Sequence, residues 1–322
     1  MRKYNLPIFI PHLGCPHDCA FCNQRKITGR DSDITPSQVE NMIREYLETT
    51  EENSKIEAAF FGGSFTGLSL ALQEEFLKAA HKYKDRLDGI RLSTRPDYIS
   101  EEILDLLEKY EVTEIELGAQ SSDDEVLKIN RRGHTFSDTV RAAKLIKSRG
   151  MGLGLQMMLG MAGSDEEKDL KTVRDIIALK PNSTRIYPTL VLKGTALEKM
   201  DYKPYSLEKA VEVAAKAIEL FEESHIKILR IGLHESEDLK NGSVAKGPYH
   251  PAFGELARSR VWRNRIEKMI LGGGFDGKIE CLPSEISKII GHKKANKIYF
   301  KEKYNIDIKP VVKGENDGTK QN

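Results

Sequence analysis

Short apolar runs alternate with stretches of helical period along most of the chain. Residues 7–10 read as a strand. Thr35-Pro36-Ser37-Gln38 reads as an N-cap, a proline at the first helical position and a capping-box glutamine. Val39, Met42, Ile43, Tyr46 and Leu47 follow at helical spacing on one face. Ala58-Ala59-Phe60-Phe61, closed by Gly62-Gly63, is a continuous apolar run of the kind a strand covered on both sides requires. The same reading gives a helix over 70–86, a strand over 90–94 closed by Arg95-Pro96-Asp97, and a helix capped by Ser100. A strand over 114–117 ends at Gly118, and helices follow over 123–130 and 137–149. A strand over 153–159 leads to a second capping box, Ser164 to Glu167, opening a helix that runs to Leu179. A strand over 184–187 ends at Pro188, a long Ala-rich helix covers 206–224, and 226–231 is a further strand.

This alternation predicts an α/β fold, a parallel sheet with crossover helices closing into a full or partial barrel of six or so units. Such barrels keep their site at the C-terminal ends of the strands. Distinctive residues fall there: a cysteine loop after the first strand, then Gly62-Gly63, Arg95, Gln120, Gly160 and Pro188. Glycine and proline also mark ordinary turns, but here they recur at one end of successive strands.

Gly272-Gly273-Gly274 predicts a domain boundary between a barrel with its extension over 1–271 and a module over 275–313, with a polar, disordered tail over 314–322. In the module, 278–282 reads as a strand, 283–290 and 293–304 as helices, and 306–312 as a strand. Residues 283–313 hold eight lysines against three acids, whereas the whole chain balances 50 Lys and Arg against 49 Asp and Glu. The global balance points to neither nucleic acid nor membrane; the local excess would attract phosphates, or simply form a solvated face. No apolar run reaches the ~18 residues of a membrane span, the N-terminus has no apolar leader core, and the cysteines are grouped rather than paired. The expected location is cytoplasmic.

Three of the four cysteines, Cys15, Cys19 and Cys22, share one loop as C-x3-C-x2-C. Three local thiolates suit an iron–sulfur cluster with one iron left open to a non-protein ligand. The same loop could bind zinc if His12 or His17 completed a set of four. In this array, with an aromatic residue before the third cysteine and a strand upstream, the chain resembles the radical S-adenosylmethionine (SAM) superfamily. The resemblance implies a [4Fe–4S] cluster on the three cysteines, with SAM chelating the open iron, and reductive cleavage of SAM to a 5′-deoxyadenosyl radical. It implies SAM contacts from Phe21, from the Gly62-Gly63-Ser64 turn, where Ser64 stands in place of a common Glu, from Gln120 and Arg131, and from Gln156, where relatives often carry Asp. It also implies an electron donor such as ferredoxin or flavodoxin.

Within the superfamily, Ser93-Thr94-Arg95-Pro96-Asp97, Gly118-Ala119-Gln120-Ser121, Arg132-Gly133-His134-Thr135, the run from Arg185 to Thr195 and the run from Pro251 to Arg260 occur in the order seen in the radical SAM domain of the Elongator catalytic subunit. That resemblance covers about 7–265 and implies RNA, with tRNA foremost, as substrate. The Elongator subunit carries an acetyltransferase domain after its radical domain, and nothing in this sequence is long enough to replace it, so the same co-substrate is not assumed. A small-molecule oxidoreductase of the anaerobic coproporphyrinogen oxidase type shares this barrel and is the alternative; a non-enzymatic, metal-containing RNA-binding protein is the second. Tyr187, at a strand end, is the candidate catalytic residue, as hydrogen donor or substrate contact. His134 and His250 read as turn or loop residues and Trp262 as core. The tail's strand–helix–turn–helix–strand order, with Ile289-Ile290-Gly291-His292-Lys293-Lys294 at the turn, resembles the minimal KH RNA-binding motif with Lys294 in place of its second glycine. The resemblance makes Lys293, Lys294 and Lys297 candidate RNA contacts.

Overall fold

The computed structural model describes residues 3–10, 15, 19–22, 34–51, 54–233 and 242–313. Seven parallel strands form one open, half-barrel sheet in chain order: β1 (Lys3–Ile10), β2 (Lys55–Gly62), β3 (Gly89–Thr94), β4 (Val112–Gln120), β5 (Gly152–Leu159), β6 (Ser183–Pro188) and, after the short β7 (Val191–Leu192), β8 (Lys227–Ile231). Parallel neighbours need crossovers, which here are α1 (Pro36–Glu48), α2 (Leu70–His81), α3 (Glu101–Lys109), the pair α4 (Asp124–Ile129) and α5 (Phe136–Ser148), α6 (Glu166–Ala178) and α7 (Leu207–Glu223). A two-residue antiparallel ladder joins β7 to β9 (Val244–Lys246).

The helices form where the apolar spacing places them. Thr35 and Gln38 make the reciprocal capping box, Gln38 N donating to Thr35 Oγ1 (3.3 Å) and Thr35 N to Gln38 Oε1 (2.8 Å). Val39, Ile43 and Leu47 of α1 are buried in one cluster with Ile8, Ile10, Phe60, Leu92, Ile115, Leu117 and Leu155 from the helix-covered face of the sheet. The other face is polar, as the two-residue period of a strand requires. Register aligns Ser93 with Glu116, Gly118 with Gln156, Gln156 with Arg185 and Met158 with Tyr187 across it. Glycines on β5 leave the space these side chains occupy: a Cβ on Gly154 would lie 2.8 Å from Glu116 Cγ and 3.0 Å from Ser183 Oγ.

Four expected boundaries change. The helix begun at Leu70 ends at His81, because 82–87 wind into i→i−3 turns such as Arg86 N to Tyr83 O (2.9 Å). The α6 cap is Asp165, whose carboxylate accepts from Lys168 N (2.9 Å), since Ser164 Oγ donates instead to Asp169 Oδ1 (2.6 Å). Strand β4 runs on to Gln120 through a register shift opposite β5. In the tail, α10 (Ala295–Tyr304) starts at Ala295 rather than Lys293, because Lys293 and Lys294 both have positive φ.

The last helix packed on the sheet, α8 (Phe253–Leu271), ends at Gly272, and β10 (Lys278–Cys281), α9 (Ile286–Ile290), α10 and β11 (Lys309–Val312) follow, with β10 and β11 parallel. Ile279, Cys281, Ile289, Phe300 and Ile308 form a separate apolar cluster with Ile266 of α8, and Trp262 packs on its edge. The expected tail over 314–322 lies outside the described residues.

Candidate active site at the strand ends

The segment 19–22 lies across the C-terminal ends of the strands, held by residues far downstream. Ala20 N donates to Asn130 O (3.0 Å), and Leu197 N donates to Ala20 O (2.7 Å). Ala20 packs with Ala162, Val191 and Leu197, with Phe21 against their edge. Arg132, 6% exposed, donates from Nη1 to Cys19 Sγ (3.1 Å) and from Nη2 to Gly118 O (2.7 Å). Its guanidinium stands 5.9 Å from the centre of the Phe21 ring. Burial and the neighbouring Cys19 raise the Cys15 thiol pKa, against the pull of Arg95 and Arg132. Among the described residues no three His, Cys, Asp or Glu side chains are already gathered as a metal-ligand set. His12 and His17, the candidates for completing a zinc site, lie outside the described residues.

The remaining strand ends build a wall beside this segment. Gly62, at φ +109°, adopts backbone that favours glycine, and a Cβ there would stand 3.0 Å from Ile10 O. Ser64 is buried and turned inward: its Oγ pairs with Thr94 Oγ1 (2.8 Å) and accepts from Arg95 N (3.2 Å), fastening the end of β2 to that of β3. Arg95 forks onto Asp97 (3.0 and 2.9 Å) and donates to Arg132 O (2.5 Å). Gln120 sits at φ +66°, and its buried Oε1 has no hydrogen-bond partner among the described residues; the same holds for Arg95 Nη1 and Arg132 Nε. A Cβ on Gly118 would stand 2.9 Å from Gln120 Nε2 and 3.4 Å from Arg132 Nη2. Two buried donors and one buried acceptor thus stand without partners near the strand ends, beside Gly62, and this donor and acceptor set fits a ligand carrying a carboxylate and an amino group.

Arg131, the expected SAM contact, is exposed; its neighbour Arg132 faces the cysteine segment instead. The two are adjacent arginines at a helix end, and only the turn after α4 decides which points inward. His134 is buried beside them, with Asp97 Oδ1 3.9 Å from its Nδ1. Burial, and the charges of Arg132 and Arg95, push its pKa down to about 4, so it stays neutral.

Deeper on the polar face, Gln156 Nε2 donates to Ser93 Oγ (3.3 Å) and Glu116 Oε2 (3.1 Å). Arg185 forks onto Glu116 (2.5 and 2.9 Å) and lies 5.2 Å from the Phe61 ring centre. Arg91, buried, bonds Glu114 and approaches Glu116 (3.5 Å) and Glu57 (3.6 Å). None of these acids was singled out from sequence, although Glu114 and Glu116 alternate with apolar residues in a strand, which is the signal of a polar face. Tyr187 is half-buried on this face; burial raises its pKa and keeps the phenol protonated.

Asp169 anchors the loop after β5. Its carboxylate accepts from Ser164 Oγ (2.6 Å), Gly160 N (2.8 Å) and Tyr205 OH (3.0 Å), yet burial outweighs these donors and pushes its pKa up to about 6. The folded state then binds this proton more tightly than an unfolded chain, whose Asp titrates near ~3.9. Asp169 therefore contributes stability at low pH that is lost as pH rises from about 4 to about 6. His134 slopes oppositely, costing stability as pH falls below ~6.5. The difference between wild type and Asp169→Asn in thermal melts from pH 4 to 7 isolates the first effect; parallel profiles would refute it.

The family model described as the radical SAM superfamily matches residues 9–176, and that described as the Radical_SAM C-terminal domain matches 181–263. The chain is 31% identical over 249 residues to a tRNA uridine(34) acetyltransferase of Methanocaldococcus jannaschii, covering 63% of this chain and 46% of that protein. It is 26% identical over 250 residues to human Elongator complex protein 3, covering 70% of this chain and 45% of that one. Among solved structures, the archaeal Methanocaldococcus infernus Elp3 with an N-terminal deletion superposes with a TM-score of 0.65 at 26% identity, covering 84% of this chain and 63% of that one. Native anSMEcpe with bound AdoMet shares the fold at a TM-score of 0.53 and 19% identity. The chain spans about half the length of the curated tRNA-modifying and Elongator relatives it matches.

Proposed function

The chain belongs to the radical SAM superfamily, and on that premise we propose that it is an RNA-modifying enzyme with tRNA as substrate. Its superfamily uses a [4Fe–4S] cluster and SAM. The observation that carries the reading is the fixing of segment 19–22 over a cradle of unpartnered buried polar atoms at the strand ends. Cys15, Cys19 and Cys22 hold the cluster, which when bound supplies the electron for reductive cleavage of SAM.

The chain's own groups do the rest. Arg132 fixes Cys19 Sγ and offsets thiolate charge. Gln120 Oε1 accepts from the ligand's amino group, and Arg95 Nη1 and Arg132 Nε donate toward its carboxylate. The turn at Gly62 and Gly63 brings backbone close to the ligand, Phe21 closes the apolar side, and Ser64 acts by shaping the turn. Gln156 is placed for the ribose hydroxyls, held by Glu116. Tyr187 is the hydrogen donor on the polar face. Arg132 takes the part that the resemblance gave to Arg131.

For the substrate, the tRNA-named relatives speak for RNA, as does the +5 excess over 283–313. The module over 275–313, with Lys293, Lys294 and Lys297, is the proposed RNA contact beside the barrel over 1–271. Lys293 and Lys294 are exposed, and Lys297 is half-buried near Asp307 (3.6 Å). Among the described residues no helix is long and apolar enough to cross a membrane.

Mass spectrometry of tRNA nucleosides tests this, after anaerobic reconstitution with iron, sulfide, dithionite and SAM. A nucleoside whose mass changes only with enzyme is expected. Production of 5′-deoxyadenosine with unaltered tRNA would move the substrate to a small molecule, and a well-formed cluster without SAM cleavage would sink the enzyme reading.

A further inference from the structure

We propose that the cleft between α7, α8 and the start of α10 is a phosphate-binding pocket whose ligand is a backbone phosphodiester of the RNA. It rests on the RNA reading for the source of that phosphate and on its own geometry for the rest. The cleft has a volume of ≈ 370 Å³, room for a phosphate and its sugar, and Ser259, Arg260, Arg263, Glu208, His292 and Asn296 are among its lining residues.

Charge in the cleft is unbalanced. Arg263 is held in place, donating from Nε to Asn296 Oδ1 (2.9 Å) and lying 4.4 Å from the Tyr299 ring centre. Asn296 is itself locked, its amide donating to Ser259 O (2.8 Å) and Ile289 O (3.1 Å). Arg260, one turn earlier on α8, has Glu208 at 3.8 Å as its one ion-pair partner among the described residues, and that carboxylate is on an 85% exposed side chain. Burial first, and the Arg260 charge second, lower the Arg263 pKa against the opposing pull of Tyr299, Glu267 and Glu208, so the two guanidiniums share one space. A phosphate accepts from such forks in pairs.

Two further features point the same way. Ser259 is 5% exposed, and its Oγ has no hydrogen-bond partner among the described residues. The ten-residue α10 opens on Lys294, in left-handed backbone, without a side-chain cap, and its dipole turns its positive end toward the cleft. Gly291, at φ +81°, is pressed onto this start: a Cβ there would lie 2.8 Å from Asn296 N. The exposed Lys293 and Lys294 adjoin the same helix start, along which a backbone would run on. The pocket thus joins the barrel's last helices to the basic module, and RNA held there would bridge both.

The test is tRNA binding by the full chain across a salt series, for wild type, Arg260→Gln, Arg263→Gln and Ser259→Ala, with thermal melts as the check on folding. Arg260→Gln is expected to weaken binding about tenfold and to flatten the slope of log K against log salt by about 0.7–0.9. Ser259→Ala should weaken it severalfold, and SAM cleavage should be unchanged in Arg260→Gln. Folded variants with wild-type affinity and slope would overturn the proposal. Stabilisation of wild type but not Arg260→Gln by AMP or inorganic phosphate, without competition against tRNA, would make the ligand a free nucleotide or phosphate and overturn the RNA assignment. If wild type itself fails to bind tRNA, the RNA reading falls, and the same phosphate and AMP melts decide whether the pocket stands.

Discussion

Replacing Cys19 with serine is expected to reduce iron incorporation to background and to abolish 5′-deoxyadenosine production, while the far-UV circular dichroism is retained. On the proposed assignment the thiolate is the ligand, and a serine hydroxyl stays protonated, so the loss is of chemistry rather than of fold. The residue is 4% exposed and takes a hydrogen bond from Arg132, which gives the experiment a graded partner. Arg132→Met keeps all three thiols and removes the cation against the sulfur together with the bond to Gly118 O and the donor proposed for the ligand carboxylate; cluster retention reads the first of these, and a loss of roughly 10–100-fold in it is expected, as for other groups that orient a metal ligand. Full iron content and turnover in Cys19→Ser would remove Cys15, Cys19 and Cys22 from the cluster assignment altogether.

The second large effect belongs to Glu116. Its side chain is 1% exposed and serves Arg185, Gln156 and, at 3.5 Å, Arg91. Glu116→Ala leaves the half-buried Arg185 without its carboxylate and the buried Arg91 with Glu114 and Glu57 alone among the described residues, a change of the kind that costs about 3–5 kcal/mol where the pair is fully buried. Urea unfolding of the apoprotein measures it, with no dependence on cluster loading. Glu116→Gln keeps the shape and one acceptor and should cost less. A cost below ~1 kcal/mol for the alanine variant would mean that water already carries these charges.

The sheet was legible because parallel strands buried on both sides write themselves as apolar runs, and Ala58 to Phe61 and Leu153 to Leu159 did so. Caps at Thr35 and Ser100 were legible for the same local reason: the side chain that satisfies the first helical amides lies within three residues of them. What sequence could not supply was direction. Arg131 and Arg132 are equivalent as neighbours in a list, and only the tertiary turn sends Arg132 to Cys19. Glu57, Arg91, Glu114 and Glu116 look like surface charges one at a time; they become a buried network only when strand register brings them together. The pocket on Ser259 and Arg263 draws on residues of the barrel and of the tail, and no local pattern announces it.

The hydrogen bonds from Ala20 to Asn130 and from Leu197 to Ala20 also set a schedule. The cysteines emerge from the ribosome first, but the walls that hold them arrive only when Leu197 has been made. On the proposed cluster assignment, a chain ending before Leu197 should retain less iron on reconstitution than the full chain, although Cys15, Cys19 and Cys22 are all present.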